Sequence, residues 1–185
     1  MLNTPTAYRG MVTAPHHLAA QAGLEVLREG GNAIEAMISA AATIAVVYPH
    51  MNSIGGDGFW LIRVPTGEAP GESSAKVLGI DACGRAGSRV SIDIYKSAGL
   101  DTIPSRGPLA ANTIAGTLSG WGEAERISHE LGGHLPTGRL MEEAIHYAEQ
   151  GVPVTAGQRR LTLEKRGEMD FAPGFADLFM PGGEV

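Results

Sequence analysis

Apolar and polar positions divide the chain into segments of contrasting period. Residues 10–14 (GMVTA) read as a short β-like segment, and Pro15 then suits a helix entry, where its missing N–H is not needed. Leu18, Ala22, Leu24, Val26 and Leu27 give one helix face, which Gly30 and Gly31 terminate. Asn32, with Glu35 three residues on, has the form of a capping box. Residues 33–47 are apolar almost all round, which predicts a buried central helix, and Pro49 stops it. Residues 52–58 (NSIGGDG) hold three glycines in four positions, so a tight turn drawing on φ > 0 is expected. The bulky residues 59–64 (FWLIRV) then predict a strand.

Farther along, the polar Pro/Gly-rich stretch 65–74 predicts the loop of an extended hairpin, returning as a strand over 77–81. Residues 92–98 predict a short helix and 101–109 a loop with two prolines. Residues 115–131 read as a helix with small residues early and Trp121 for packing, ended by Gly132 and Gly133. Over 140–150 the positions Leu140, Met141, Ala144, Ile145 and Ala148 follow three-four spacing, with Thr137 as the expected cap and Gly151 as the stop. Residues 155–167 are helical in character and highly charged, a solvated surface segment, and 172–185 read as loop. β-like segments separated by helices indicate a layered α/β or α+β domain.

One combination is more specific than its parts: EGGNA-IEA, a helix of small residues, then YPH-N and GGDGF-WLI. It resembles the start of the large subunit in the γ-glutamyltranspeptidase family of N-terminal nucleophile hydrolases. The resemblance continues through GRAG near Arg85, RGPLAANTIAGTLSGW and EEAIHYAEQGVPV, and so covers about residues 10–154. It implies an α+β fold of the four-layer αββα sandwich type, of which residues 1–185 supply a single incomplete domain, the front part of the large subunit. It also implies a precursor that cuts itself in two, a zymogen maturing to a heterodimer. The small subunit from the same precursor then carries an N-terminal threonine as nucleophile, with its own α-amino group as base. That nucleophile and the oxyanion donors fall outside these residues, so no catalytic residue is expected in this chain. No cofactor is implied, and the substrate class is a small-molecule amide.

Composition narrows the field. A formal net charge of −6 offers no basic stripe for nucleic acid. The single cysteine excludes an intrachain disulfide and a cysteine-based zinc site. The opening MLNTPTAYRG has no basic segment followed by an apolar one, so no signal peptide is expected. The apolar run over 33–47 is too short for a membrane span and carries Glu35. With no membrane partner implied, a cytoplasmic location is the simplest reading, and it points toward an intracellular relative, since many members of the family are exported.

The family's transpeptidases grip the α-carboxylate of the γ-glutamyl group with an arginine in a pattern like D-x-R-E-x-A-P, a task suited to the planar guanidinium fork. The matching run here is Asp81-Ala82-Cys83-Gly84-Arg85-Ala86-Gly87, with Cys83 where that arginine would stand. A thiol cannot replace a guanidinium, so the chain leans to the amidohydrolase and acylase branch, similar to oxamate amidohydrolases and cephalosporin acylases. A true γ-glutamyltransferase or glutathione hydrolase is the alternative, and a non-catalytic binding relative the third reading.

Arg85 is the candidate for an anionic substrate group; otherwise it ties down its own loop through carbonyls or Asp81. Cys83 reads as a small buried packing residue. The glycine turn either brings Asn52 and Ser53 near substrate or serves as a buried turn; it is no phosphate loop, lacking G-K-[ST] and a following helix. Of the six histidines, His50 lies near enough to the turn to be a pocket candidate, and none has the spacing of a zinc site.

Overall fold

The computed structural model describes residues 4–67 and 74–185. Helix α1 (His17–Arg28) starts at His16, whose ring Nδ1 accepts the Leu18 N–H at 3.3 Å. Its buried face is Ala19, Ala22, Gly23 and Val26, with Leu18, Leu24 and Leu27 at the flanks. Residues 10–14 lead into it without forming a strand, and no second strand among the described residues lies beside them. Helix α2 (Ala33–Val47) follows through the expected capping box: Asn32 Oδ1 accepts from the backbones of Ile34 and Glu35, both at 3.0 Å, and Glu35 Oε2 accepts from Asn32 N at 2.7 Å. Ten of its fifteen residues are buried, so it is the central helix, although Ala33 and Met37 remain exposed along one stripe.

Strands β1 (Gly58–Pro65) and β2 (Ala75–Ala82) pair antiparallel, with Gly58 opposite Ala82 and Leu61 opposite Gly79. Most of the hairpin loop expected over 65–74 lies outside the described residues. Helix α3 (Ile92–Ser97) is short, and its Tyr95 hydroxyl donates to the Leu109 carbonyl at 3.2 Å. Helices α4 (Thr117–Glu130) and α5 (Thr137–Gln150) pack on α2, while α4 also lies on the hairpin. The core joins Val26, Ile34, Ile38, Ile62, Ala124, Ile127 and Leu140, so helices and sheet share one apolar centre and the fold is α+β.

Several expectations need correcting. Thr137 does not cap α5; Pro136 holds the N-cap position, and the Thr137 hydroxyl donates to the Glu125 carboxylate. Ile145 and Ala148 face out, since only Leu140 and Ala144 of α5 are buried. Helix α6 (Ala156–Met169), capped by Thr155 Oγ1 accepting from Gln158 N at 3.1 Å, turns Gln158 and Thr162 inward rather than being wholly solvated. The tail forms a short helix, α7 (Phe175–Phe179), and a 3-10 turn (Pro181–Gly183), with Phe175 and Met180 buried. Among the described residues no helix is long and apolar enough to cross a membrane.

Candidate functional site

Three segments distant in sequence are stitched together where β1 begins and β2 ends. The Gly56 carbonyl accepts from the backbones of Gly116 and Thr117, both at 3.0 Å, and from Thr117 Oγ1 at 2.7 Å. Asp57 Oδ1 accepts the Gly84 N–H at 2.9 Å. Residues 85–87 then zip against 112–114, with Ile114 N donating to the Arg85 carbonyl at 2.9 Å and Gly87 N to the Asn112 carbonyl at 3.0 Å. The glycine turn and the Asp81–Gly87 run therefore form one surface.

The glycines that make this possible are not those of the turn. Gly55, Gly56 and Gly58 all have ordinary negative-side φ, and a Cβ at Gly56 would meet nothing within 4 Å. The expectation of φ > 0 there is not met. The close approach falls at Gly84, where a Cβ would sit 1.4 Å from the Ile114 carbonyl oxygen, and at Gly116, where it would sit 2.1 Å from that of Ala82.

Cys83 is exposed, not buried packing. The Asp81 carboxylate accepts from the Cys83 backbone at 3.0 Å and from its thiol. That hydrogen bond holds the Asp81 carboxyl below its ordinary range and pushes the thiol up to about 11, so the sulfur stays protonated and is a poor nucleophile. Arg85, two residues on, is exposed, and its guanidinium makes no hydrogen bond or ion pair with the described residues; its carbonyl, not its side chain, ties the loop down. It offers an open fork for an anion.

Asn52 and Ser53 line a cavity of about 230 Å³ together with Asp57, Thr117, Trp60 and Trp121. Asp57 links this cavity to the Gly84–Arg85 loop. His50 stands apart, in a separate cavity against α6 and α7. The structure thus joins Asn52 and Ser53 through Asp57 to the loop bearing Arg85, and leaves His50 out. Asp57 and Thr117 escaped the sequence reading because their partners lie 27 and 61 residues away. Among the described residues no histidine nitrogen bonds a hydroxyl or thiol, and no cluster of three or more histidine, cysteine or acidic residues is placed to hold a metal ion. The surface can bind and orient; it contains no assembled nucleophile and base.

Residues 19–185 match the profile of the Gamma-glutamyltranspeptidase family, and the chain belongs to that family. It is 52% identical over 186 residues to the oxamate amidohydrolase proenzyme of Klebsiella pneumoniae subsp. pneumoniae, taking in 100% of this chain and 33% of that protein. It is 37% identical over 175 residues to the glutathione hydrolase-like YwrD proenzyme of Bacillus subtilis, covering 95% of this chain and 31% of that one. Among solved structures it overlays the cephalosporin acylase from Bacillus halodurans with a TM-score of 0.75 at 30% identity, over 100% of this chain and 35% of that chain. The chain therefore spans about a third of the length of the relatives it matches.

Proposed function

We propose that this chain is the front part of the large subunit of a self-cleaving amidohydrolase of the N-terminal nucleophile type, acting in the cytoplasm on a small anionic amide such as oxamate. The observation that carries the reading is the 52% identity, across the whole chain, with an oxamate amidohydrolase proenzyme. Cys83, held protonated where the family's transpeptidases place a carboxylate-gripping arginine, supports it from the chemical side.

In this reading the partner subunit's threonine hydroxyl attacks the amide carbonyl, and its proton passes by way of the α-amino group to the departing ammonia. An α-amino group with a pKa of about 8 is partly neutral near pH 7 and suits that task. Water then releases the acid and restores the threonine. Arg85 holds the substrate carboxylate beside the scissile amide, and Asn52 and Ser53 border the adjoining cavity. The sandwich belongs to the same proposal: α4 covers one face of the β1–β2 hairpin, where Ile62 joins the core of α2, while Phe59, Leu61 and Val77 on the other face are 72%, 85% and 63% exposed, as half of a layered structure would be.

The test uses the full-length protein and three substrates: oxamate, a simple acyl amide and a γ-glutamyl anilide, the last with and without glycylglycine. The account expects oxamate turnover, slow γ-glutamyl release and no acceleration by the dipeptide. In Arg85→Ala, KM for oxamate should rise at least about tenfold with a smaller change in kcat, the signature of a lost binding contact. Fast γ-glutamyl release that the dipeptide accelerates would establish the transferase instead, a reading favoured by the 37% identity with the glutathione hydrolase-like protein.

A further inference from the structure

The cavity that holds His50 is separate from the one that Asn52 and Ser53 line. It measures about 370 Å³ and lies between the segment after α2, the loop at Arg106 and Gly107, and helices α6 and α7. That volume is at the small end of the roughly 300–1,000 Å³ typical of small-molecule sites. Its walls are apolar, with Leu161, Met169, Phe175 and Phe179 among them. Two cations, Arg106 and Lys165, stand at it and share a single carboxylate: Glu168 lies 3.0 Å from Arg106 and 2.8 Å from Lys165. The trio keeps a net charge of +1. Both His50 ring nitrogens are buried and have no hydrogen-bond partner among the described residues. Burial also lowers the pKa of this imidazole, which keeps it neutral and able to donate or accept. An apolar floor, a surplus cation and an unsatisfied imidazole share one hollow.

We propose that this cavity binds a small amphipathic monocarboxylate, its apolar body against Leu161 and the two phenylalanines and its carboxylate on Lys165 and Arg106. Such a ligand supplies a second anion to two cations that share one carboxylate among the described residues, and its apolar part packs on the apolar walls. The site is separate from the Arg85 surface, so its ligand need not be a substrate.

The experiment is a calorimetric titration of the full-length protein with phenylacetate, and with 2-phenylethanol as the uncharged counterpart. Phenylacetate should bind in the millimolar range or tighter, and the alcohol about tenfold more weakly, since a charge-assisted hydrogen bond is lost. Lys165→Met, a surface change that should leave folding intact, should reduce phenylacetate binding to the level of the alcohol. Thr162→Trp, which fills the cavity, should abolish binding of both, while amide hydrolysis stays unchanged in either variant. Absence of phenylacetate binding, equal binding of acid and alcohol, or binding untouched by both variants would overturn the proposal. The titration reads the cavity whether or not the protein hydrolyses amides, so its failure is distinct from failure of the amidohydrolase reading.

Discussion

The helical half and the sheet half of this molecule are finished to different degrees. Around α2 the buried carboxylate and the cap amide are answered inside the chain, while the Ser39 and Thr43 hydroxyls of the same helix are buried without a hydrogen-bond partner among the described residues. Glu35, 1% exposed, accepts three backbone N–H groups: Asn32 at 2.7 Å, His134 at 2.7 Å and Leu135 at 2.8 Å. The Asn32 side chain donates to the Ser128 carbonyl at 3.3 Å and accepts from the Ser128 hydroxyl at 3.0 Å. A local helix cap thus doubles as the clamp between α2 and the α4–α5 turn. The hairpin, by contrast, carries Phe59, Leu61 and Val77 bare on one face. One region buries its apolar side chains in a shared core; the other leaves an apolar sheet face exposed.

Removing the clamp should have the largest effect. Glu35→Ala strands three backbone donors, each costing about 1–3 kcal/mol, so the full-length protein should lose about 4 kcal/mol. Glu35→Gln, which keeps one acceptor oxygen, should lose about half of that. Thermal unfolding measures both, and a loss below about 1 kcal/mol for the alanine variant would mean that the helical half is not held as described.

Gly84→Ala comes next, because its methyl group would collide with the Ile114 carbonyl. A cost of about 3 kcal/mol or a displaced Arg85 loop is expected, with amide turnover falling accordingly. Gly56→Ala is the matched control, with open space around it and a cost within about 0.5 kcal/mol. A large loss of activity in Gly56→Ala at unchanged stability would show that substrate or the partner subunit needs that space.

Leu61→Lys tests the other half of the comparison. On a free surface it would be neutral within about 0.5 kcal/mol; under a second layer it should cost about 2 kcal/mol or more, because a charge would be buried without a partner. The proposed sandwich requires the second result in the full-length protein.

The smallest effect is a dependence on pH. His16 caps α1 through an unprotonated Nδ1, and burial followed by the neighbouring His17 lowers its pKa from the ordinary 6.5. The fold binds fewer protons here than the unfolded chain does. The contribution is therefore present above pH 6.5 and lost as pH falls below it. His16→Asn keeps a cap without the titration, so the drop in Tm from about pH 7.5 to about pH 5 should be smaller in the variant than in the parent protein. Equal drops would remove His16 from the account.

What the sequence made legible was mostly local. The Asn32–Glu35 box, the apolar run of α2, the strand of bulky residues and the glycine stops each depend on neighbours within a few positions. What it hid depended on distance. Residues 10–14 have a strand's composition but no strand beside them among the described residues. Thr137 has a cap's chemistry, yet Pro136 takes the N-cap place and the hydroxyl is drawn to Glu125 twelve residues earlier. The small helix at Phe175–Phe179 buries Phe175 in a cavity wall built by α6, which no local period announces. At the site, Arg85 was visible through its motif, and Asn52 and Ser53 through the turn. Asp57, which connects them, was invisible because its hydrogen bond to Gly84 reaches across 27 residues.

The central claim is that this chain belongs to a precursor that cuts itself and exposes a nucleophile on its partner. Intact mass and N-terminal sequencing of the purified full-length protein test it most directly. The account predicts two polypeptides, the second beginning with threonine. A single uncut chain, or a second chain beginning with a residue other than threonine, serine or cysteine, would contradict it and move the binding-protein reading ahead.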